Sequence, residues 1–460
     1  MGIDGSWPRI WKAEGGEYVE NDKGVSTVFV DGQILLMKST MPDGCTWQQY
    51  VERNFTQRLV ALHRKYENVV LAFDSYESVP VYKSIEQLKR IAKAAPFAFE
   101  AGDNVPSRPP SSKVWGNALL NRAYKTNIIT MIVTMLARGY DPQVQKKTLI
   151  LDFVNVVRIS FTPYERTQSV LEDMQPMGES DVKFMRYAEK YGDIVVESVD
   201  SDVMLIAMLY VQKSNYKHRI FVRRIKSAPI DETVEEKNAN VEKRKRAAGG
   251  AAGGSAGVAG GAKPPRARLE YETLCINTLL RMLHNAAYEA IGREMVIAES
   301  HLTHILIVLM LLNGSDYSRG LPRVGARSVW EMLHVVVPAF VATTSMVQDA
   351  IVIDSEMCID AVFAEIYKAK FSRHVSTTES SFSEVRADLV GSKLSYAVRD
   401  SIPTHAELEC TIKNIGWILT YWNLTNENPP VCPAGTHGFS VADGKVRFID
   451  TVQADEMDVE

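Results

Sequence analysis

The sequence is short of cysteine, of long apolar runs and of excess charge, and each shortage excludes a class of protein. Its five cysteines are widely spaced and form no CxxC pair, which argues against a zinc cluster or a disulfide framework and favours a reducing compartment. The longest apolar run, 305–312, is far below the ~20 residues that a membrane-spanning helix needs. The first residues show no apolar core of a secretory signal, so we expect neither export nor a membrane partner.

The charge balance leaves the partner open. Lys and Arg total 52 against 56 Asp and Glu, a formal charge of -4, so no basic excess indicates nucleic acid. A nearly neutral total can still combine an acidic pocket with basic surfaces, so nucleic acid is not excluded either. With 46% hydrophobic and 23% charged residues over 460 positions, the composition is that of a globular protein with a sizeable core.

Short apolar runs alternate with helical patterns in the first half of the chain. The stretch 47–66 carries apolar residues at helical spacing, and another helix is predicted at 299–312. Strands separated by helices imply crossover connections, so we predict an α/β fold with a mostly parallel sheet covered on both faces. The predicted strands are 25–30, 69–73, 148–157 and 194–199.

A segment made almost entirely of Gly and Ala, 247–262, divides the chain. It offers no apolar surface to bury, so it is predicted to be a flexible tether. The basic run 243–246 before it is typical of a solubilising loop, although a nuclear-import or nucleic-acid-contacting arm stays open. Four regions are predicted. Residues 1–246 form the first part of the core and include an arch insertion at about 75–145, and 247–268 form the tether. Residues 269–345 form the rest of the core, and 346–460 form a helical extension with a hairpin and an irregular acidic tail.

Several predicted strands end in an aspartate. Asp31, Asp74 and Asp200 each follow an apolar run, and Asp202 comes two positions later. In an open parallel sheet, ligands bind outside the carboxyl ends of the strands. A single aspartate there is often only a helix cap, but several acids at one edge repel one another unless cations hold them. Oxygen ligands without His or Cys favour Mg²⁺ or Mn²⁺.

Together with two further blocks, these residues resemble the flap endonuclease/XPG family of structure-specific 5′ nucleases. The likeness starts at Met1-Gly2-Ile3, covers about residues 1–335 with gaps, and is specific as a set rather than in any one motif. The matching carboxylates are Asp31 in FVDG, Asp74 in AFDS, Glu179 and Asp181 in GESDVK, Asp200 and Asp202 in VDSDV, and Asp316 in NGSDYSRGLPRVG.

The resemblance implies a PIN-like fold with a helical arch and a helix–two-turn–helix. It also implies a two-metal hydrolase that uses Mg²⁺, with Mn²⁺ as a substitute, and holds it on those seven carboxylates. By the same likeness, Lys83 and Arg90 contact the scissile phosphate from the arch. The alternative is that these two residues are ordinary solvent-exposed cations on a helix. The implied DNA contacts are Gly2, Gly320, Arg323, Gly325 and Arg327.

The chain also departs from that family. Asp181 stands where glutamate is usual, the stretch between Asp74 and Glu179 is long, and the tether interrupts the core. No QxxLxxFF-like segment lies near the C-terminus, so binding to a sliding clamp is not expected.

The expected partner is DNA with 5′ flaps, nicks or junctions, with RNA left open, and the expected state is a nuclear or cytoplasmic monomer, of cellular or viral origin. Action in replication, repair or recombination would follow. A 5′-3′ exonuclease, a junction resolvase and a non-catalytic scaffold remain alternatives.

Overall fold

The computed structural model describes most of the chain in separate stretches. Contacts divide the chain into two units, one comprising 1–223 with 273–460 and the other comprising 224–272. Within the second unit the description covers 224–225 and 271–272, where Arg224 forms a 3.2 Å ion pair with Glu272. The described residues are 21–39, 44–74, 108–110, 112–143, 146–174, 178–200, 202–225, 271–292, 295–315, 320–347, 350–375, 381–423, 439–442 and 445–448.

An eight-stranded sheet forms the centre of the fold. Its strand order is β5-β4-β3-β2-β1-β6-β7-β8, and β3, β2, β1, β6 and β7 run parallel. The sheet strands are β1 (Thr27–Asp31), β2 (Asn68–Ala72), β3 (Lys147–Asp152), β4 (Val156–Phe161), β5 (Arg166–Val170), β6 (Ile194–Glu197), β7 (Ile220–Ile225) and β8 (Tyr271–Cys275). Two antiparallel hairpins add β9 (Thr344–Val347) with β10 (Ala350–Ile353), and β11 (Phe439–Ala442) with β12 (Lys445–Phe448).

Helices make up most of the remaining described structure. Those before the Gly/Ala segment are α1 (Gly32–Lys38), α2 (Trp47–Val51), α3 (Gln57–His63), α4 (Ser112–Ala118), α5 (Arg122–Gly139), α6 (Ser180–Tyr191) and α7 (Asp202–Lys213), with a π-helical turn at Glu52–Thr56. Those after it are α8 (Ile276–Ile291), α9 (Glu299–Leu311), α10 (Ala326–Glu331), α11 (Leu333–Thr343), α12 (Ser355–Cys358), α13 (Ala364–Lys370), α14 (Phe382–Gly391), α15 (Tyr396–Arg399) and α16 (His405–Asn423), with a second π-helical turn at Ile359–Phe363.

Both faces of the sheet are buried, as the sequence predicted. Phe29 and Val70 point into one apolar cluster, which also contains side chains of α6 to α9. Val28 and Leu71 point the other way, into a cluster with α2 to α5. Because successive side chains of a strand alternate between faces, a run of apolar residues such as TVFV serves both clusters at once.

The four predicted strands and the two predicted helices are present, with one revision, and strands β5, β7, β8, β9 and β10 are additions. The run 148–157, taken as a single strand, is two: β3 ends at Asp152, and the chain turns back into β4. With β5, this adds an antiparallel extension that the sequence pattern did not predict, because the exposed sequence RTQSV lacks apolar alternation. The predicted hairpin near the C-terminus is present as β11 and β12.

Two regions of the predicted domain map contribute to the core. Helix α5, inside the range assigned to the arch, buries Ile128, Ile129 and Ile132 in the second cluster. Helix α16, in the C-terminal extension, buries Trp422 in the first cluster. The Gly/Ala tether lies outside the described residues. No helix in the described ranges combines the length and apolar character needed to cross a bilayer.

Candidate active site

The structure describes six of the seven predicted metal-site carboxylates. They are Asp31, Asp74, Glu179, Asp181, Asp200 and Asp202. The seventh, Asp316, lies outside the described residues, as do Gly2, Lys83 and Arg90, so those four assignments stay predictions.

Parallel strands carry the acids to one edge of the sheet. Asp31 is the last residue of β1, and Asp74 lies two residues past the end of β2. Strand β6 is the other neighbour of β1, and Asp200 follows its end. Strand order reverses around β1, since β2 and β3 lie on one side and β6 and β7 on the other, and ligands of open α/β sheets bind at such a point.

The N-terminal end of α6 joins the first two carboxylates. The backbone N–H of Ser180 donates to Asp74 Oδ1 at 2.9 Å, and its hydroxyl oxygen lies 3.0 Å from the same atom. The same hydroxyl lies 3.1 Å from Asp31 Oδ1. A hydroxyl has one hydrogen, so it satisfies only one of the two carboxylates at a time. Asp31 and Asp74 are therefore held close together around Ser180.

Asp31 is strongly perturbed by this environment. Burial is the largest cause, and the charges of Asp74 and Asp200 add to it, while hydrogen bonds from Gln33 and Ser180 oppose it; the net effect raises the pKa of Asp31 to about 7. Asp31 is 6% exposed, and its side chain also caps α1 by accepting the Gln33 N–H at 2.9 Å. Without a cation, the folded environment therefore favours the protonated form of this carboxyl group.

The remaining carboxylates are close in sequence to residues of this pair's surroundings. Glu179 and Asp181 precede and follow Ser180 in the chain, and both are buried. Helix α6 begins immediately after Glu179, and negative charge is stabilised at a helix N-terminus. Asp202 is fully buried at the start of α7, where its N–H donates to Asp200 Oδ1 at 3.1 Å.

The donor set has the chemistry of a hard divalent cation, although the described atoms form no ready-made cage. Carboxylate oxygens without His or Cys are the ligands of Mg²⁺ and Mn²⁺. Burial first, and then the charges of Asp74 and Asp200, raise the pKa of Asp31, and a bound cation would favour its ionised form. Across the described ranges, however, no group of three or more His, Cys, Asp or Glu residues is arranged to hold a metal ion.

A buried network that the sequence analysis missed lies next to the site. Asp152, at the end of β3, is fully buried. Its carboxylate accepts hydrogen bonds from Lys183 Nζ at 2.9 Å, from the Arg186 guanidinium and from the Tyr187 hydroxyl at 2.8 Å. The sequence held a signal, since TLILD ends in an aspartate just as TVFVD does. Burial alone would raise the pKa of Asp152, but Lys183 and Arg186 outweigh it and lower that pKa.

Gly32 is a second residue whose importance the sequence did not reveal. A Cβ atom there would lie 2.5 Å from the Phe73 ring and 2.8 Å from the Ala72 carbonyl oxygen. Only glycine allows α1 to start this close to the end of β2, which is where Asp74 follows. The glycine after Asp31 therefore sets the spacing of the first two carboxylates.

The described DNA-contact candidates lie between α9 and the first turn of α10. A Cβ atom on Gly320 would lie 2.6 Å from the Asn313 carbonyl oxygen, so this turn requires glycine. Arg323, Gly325 and Arg327 are exposed, and Arg323 adopts a left-handed backbone with φ 66°. Arg327 pairs with Glu331 on the surface, and a solvent-exposed ion pair of this kind is easily exchanged for another partner.

Comparison with known proteins adds no identification. No protein-family model matches the chain, and neither does any curated protein sequence.

Proposed function

We propose that this chain is a metal-dependent, structure-specific 5′ nuclease that hydrolyses phosphodiester bonds of DNA at 5′ flaps or junctions. One observation supports it above the others: Asp31 and Asp74 lie within hydrogen-bond distance of the same Ser180 hydroxyl, beside Glu179 and Asp181, at the switch point of a parallel sheet. The resemblance of the same blocks to flap endonucleases supplies the reaction class.

The carboxylates would hold two Mg²⁺ or Mn²⁺ ions, which when bound lower the pKa of a water and stabilise the leaving oxygen. The chain's own residues then have defined tasks. Asp31, Asp74 and Asp200 provide negative charge at one edge, and the N-terminus of α6 fixes the first two through Ser180. Burial of Asp31 and Asp202 keeps water from competing for these oxygens.

Substrate contacts would come from outside the carboxylate cluster. Arg323 and Arg327 are exposed beside glycine-containing turns, a position from which they could contact backbone phosphates of DNA. Phosphate contacts position a duplex without reading its base sequence. Lys83 and Arg90 would contact the scissile phosphate and offset charge as the transition state forms. Specificity would then depend on the shape of the junction and on access of a 5′ end.

Purified full-length protein tests this on labelled 5′-flap, nicked, single-stranded and four-way-junction DNA and on matching RNA, with Mg²⁺, Mn²⁺ or excess EDTA. Product lengths separate flap cleavage from exonuclease action, and cutting of the four-way junction alone would favour a resolvase. Full activity in EDTA, or no cleavage of any substrate, would contradict the proposal.

Two aspartate variants make that assay specific. Asp202→Asn should lower the cleavage rate by about a hundredfold or more, because it removes charge from a buried position in the acid cluster. Asp173→Asn is the matched control, because Asp173 is exposed and pairs only at the surface with Lys190. DNA binding should persist in both variants, as measured by fluorescence anisotropy.

A further inference from the structure

Lys183 is a fully buried lysine and the fourth residue of α6, two residues past Asp181. An ammonium group is costly to bury unless its charge is paired and its hydrogens are bonded. Its Nζ donates to Asp152 Oδ1 at 2.9 Å and to the backbone carbonyl of Phe73 at 2.7 Å. The second contact matters most, since the Phe73 carbonyl belongs to the peptide bond that leads directly into Asp74.

The segment between β2 and Asp74 is held from two sides. The backbone N–H of Phe73 donates to the carbonyl of Asp152 at 2.8 Å, continuing the pairing of β2 with β3. The Phe73 carbonyl accepts Lys183 on its other side. Past this point the Asp74 side chain meets Ser180, on the same helix as Lys183. Helix α6 therefore contacts both the backbone before Asp74 and its carboxylate.

We infer that Lys183 is a positioning residue, which fixes the peptide before Asp74 and so sets the place of that carboxylate in the cation site. This inference rests on the proposed function. Arg186 has a different task, because it and Tyr187 bond the other oxygen of Asp152 and hold that aspartate in place.

A purely electrostatic role for Lys183 predicts the opposite result. Lys183 lies close enough to interact with the charge of Asp74. If its positive charge merely repelled bound cations, replacing it with a neutral residue would strengthen metal binding. If it positions Asp74, the same replacement must weaken binding, since residues that orient ligands typically change metal affinity by about 10–100-fold.

The test compares Lys183→Met with Arg186→Met in the full chain. Each variant removes one buried cation from the same aspartate, but only Lys183→Met releases the Phe73 carbonyl. Binding of Mn²⁺ is measured directly by electron paramagnetic resonance of the free ion, and thermal unfolding is followed in EDTA. We expect both variants to unfold at lower temperature, and only Lys183→Met to raise the Kd for Mn²⁺ by about tenfold or more.

A second pair guards against misfolding caused by a poor fit of the methionine side chain. Lys183→Leu and Arg186→Leu likewise leave Asp152 paired with one buried cation, so neither creates an unpaired charge. The same difference in Mn²⁺ affinity is expected between them. The positioning role would be overturned, with the metal site left intact, if the Lys183 and Arg186 variants of a folded pair lost Mn²⁺ affinity equally. Tighter Mn²⁺ binding after loss of Lys183 would overturn it as well. A wild-type protein that binds no Mn²⁺ would overturn the proposed function as well.

Discussion

Replacing Asp31 by asparagine should stabilise the metal-free protein while abolishing its activity. Asp31 Oδ1 accepts the Gln33 N–H and lies 3.1 Å from the Ser180 hydroxyl. An amide oxygen can keep both contacts, so the substitution removes the charge with little change in hydrogen bonding. The charge is what the folded state disfavours, because burial and the nearby carboxylates of Asp74 and Asp200 raise the pKa of Asp31 to about 7.

The size and the sign of the effect follow from that pKa. The unfolded chain loses this proton near the ordinary aspartate value of 3.8, whereas the folded protein keeps it to about pH 7. Between these values the folded state binds more protons, so its stability falls as the pH rises, by about 1.4 kcal/mol per pH unit. The raised pKa of Asp31 therefore costs the folded protein about 4 kcal/mol at pH 8 and about 2 kcal/mol at pH 5. An amide also pays for burial, so the expected gain at pH 8 is roughly 2–4 kcal/mol.

Urea unfolding in EDTA at pH 5 and pH 8 measures this gain, with Asp152→Asn as the control. Asp152 pairs with Lys183 and Arg186, so the same substitution there leaves buried cations unpaired and should cost about 3–5 kcal/mol. Excess Mg²⁺ should stabilise the wild-type protein and leave Asp31→Asn nearly unchanged. The difference in unfolding free energy between the two proteins at pH 8 should therefore become smaller. An Asp31→Asn variant less stable than wild type in EDTA at pH 8, or equally stabilised at both pH values, would refute the reasoning.

Three further predictions concern other parts of the molecule. Gly320→Ala should lower the free energy of unfolding by about 1–3 kcal/mol, because the added Cβ would overlap a backbone carbonyl. The control is Gly325→Ala, whose Cβ meets no atom within 4 Å and which should be nearly neutral. Urea titrations measure both variants. Burial lowers the pKa of both His63 and His284 to about 4, so the unfolded chain takes up protons before the folded protein does as the pH falls. The free energy of unfolding should therefore decrease from about pH 6.5 to pH 4 by roughly 3 kcal/mol per histidine. A flat profile of unfolding free energy over this range would contradict this prediction. Deleting 247–262 should leave the unfolding temperature and the cleavage rate largely unchanged, and a large drop in either would show that the segment is not a simple tether.

The sequence predicted β1, β2, β3 and β6 because each is a mainly apolar run that must be buried on both faces, whereas β7 (IFVRRI) and β8 (YETLC) were not predicted. It also predicted that Asp31, Asp74 and Asp200 follow three of these strands, and the structure places them there. The antiparallel addition of β4 and β5 could not be predicted in this way. Strand β5 is exposed along its whole length and carries no periodic apolar signal, so it is defined only by pairing with β4.

The supporting residues of the site were hidden for a different reason. Lys183 reads in the sequence as an ordinary polar residue of a helix, and only the three-dimensional register places it against Asp152 and the Phe73 carbonyl. Gly32 reads as a helix start, and its necessity depends on the distance to Phe73. Contacts between segments that are distant in the chain leave no local pattern, whereas the ends of buried strands do.

The two aspartates at the ends of β1 and β3 lie in contrasting environments, and the contrast supports the proposed role of the first. Asp31 and Asp152 both pair in register with Ala72, one on each side, so they lie at the same level of the sheet two strands apart. Both are buried, and burial by itself raises the pKa of each. At Asp152 the protein supplies Lys183 and Arg186, and the pKa is lowered. At Asp31 its neighbours are further carboxylates, and the pKa rises to about 7. Environments that push the pKa values of similar groups apart mark different roles. Asp152 is a structural anion, whereas the environment of Asp31 is the one that a bound cation would relieve, as the proposed function requires.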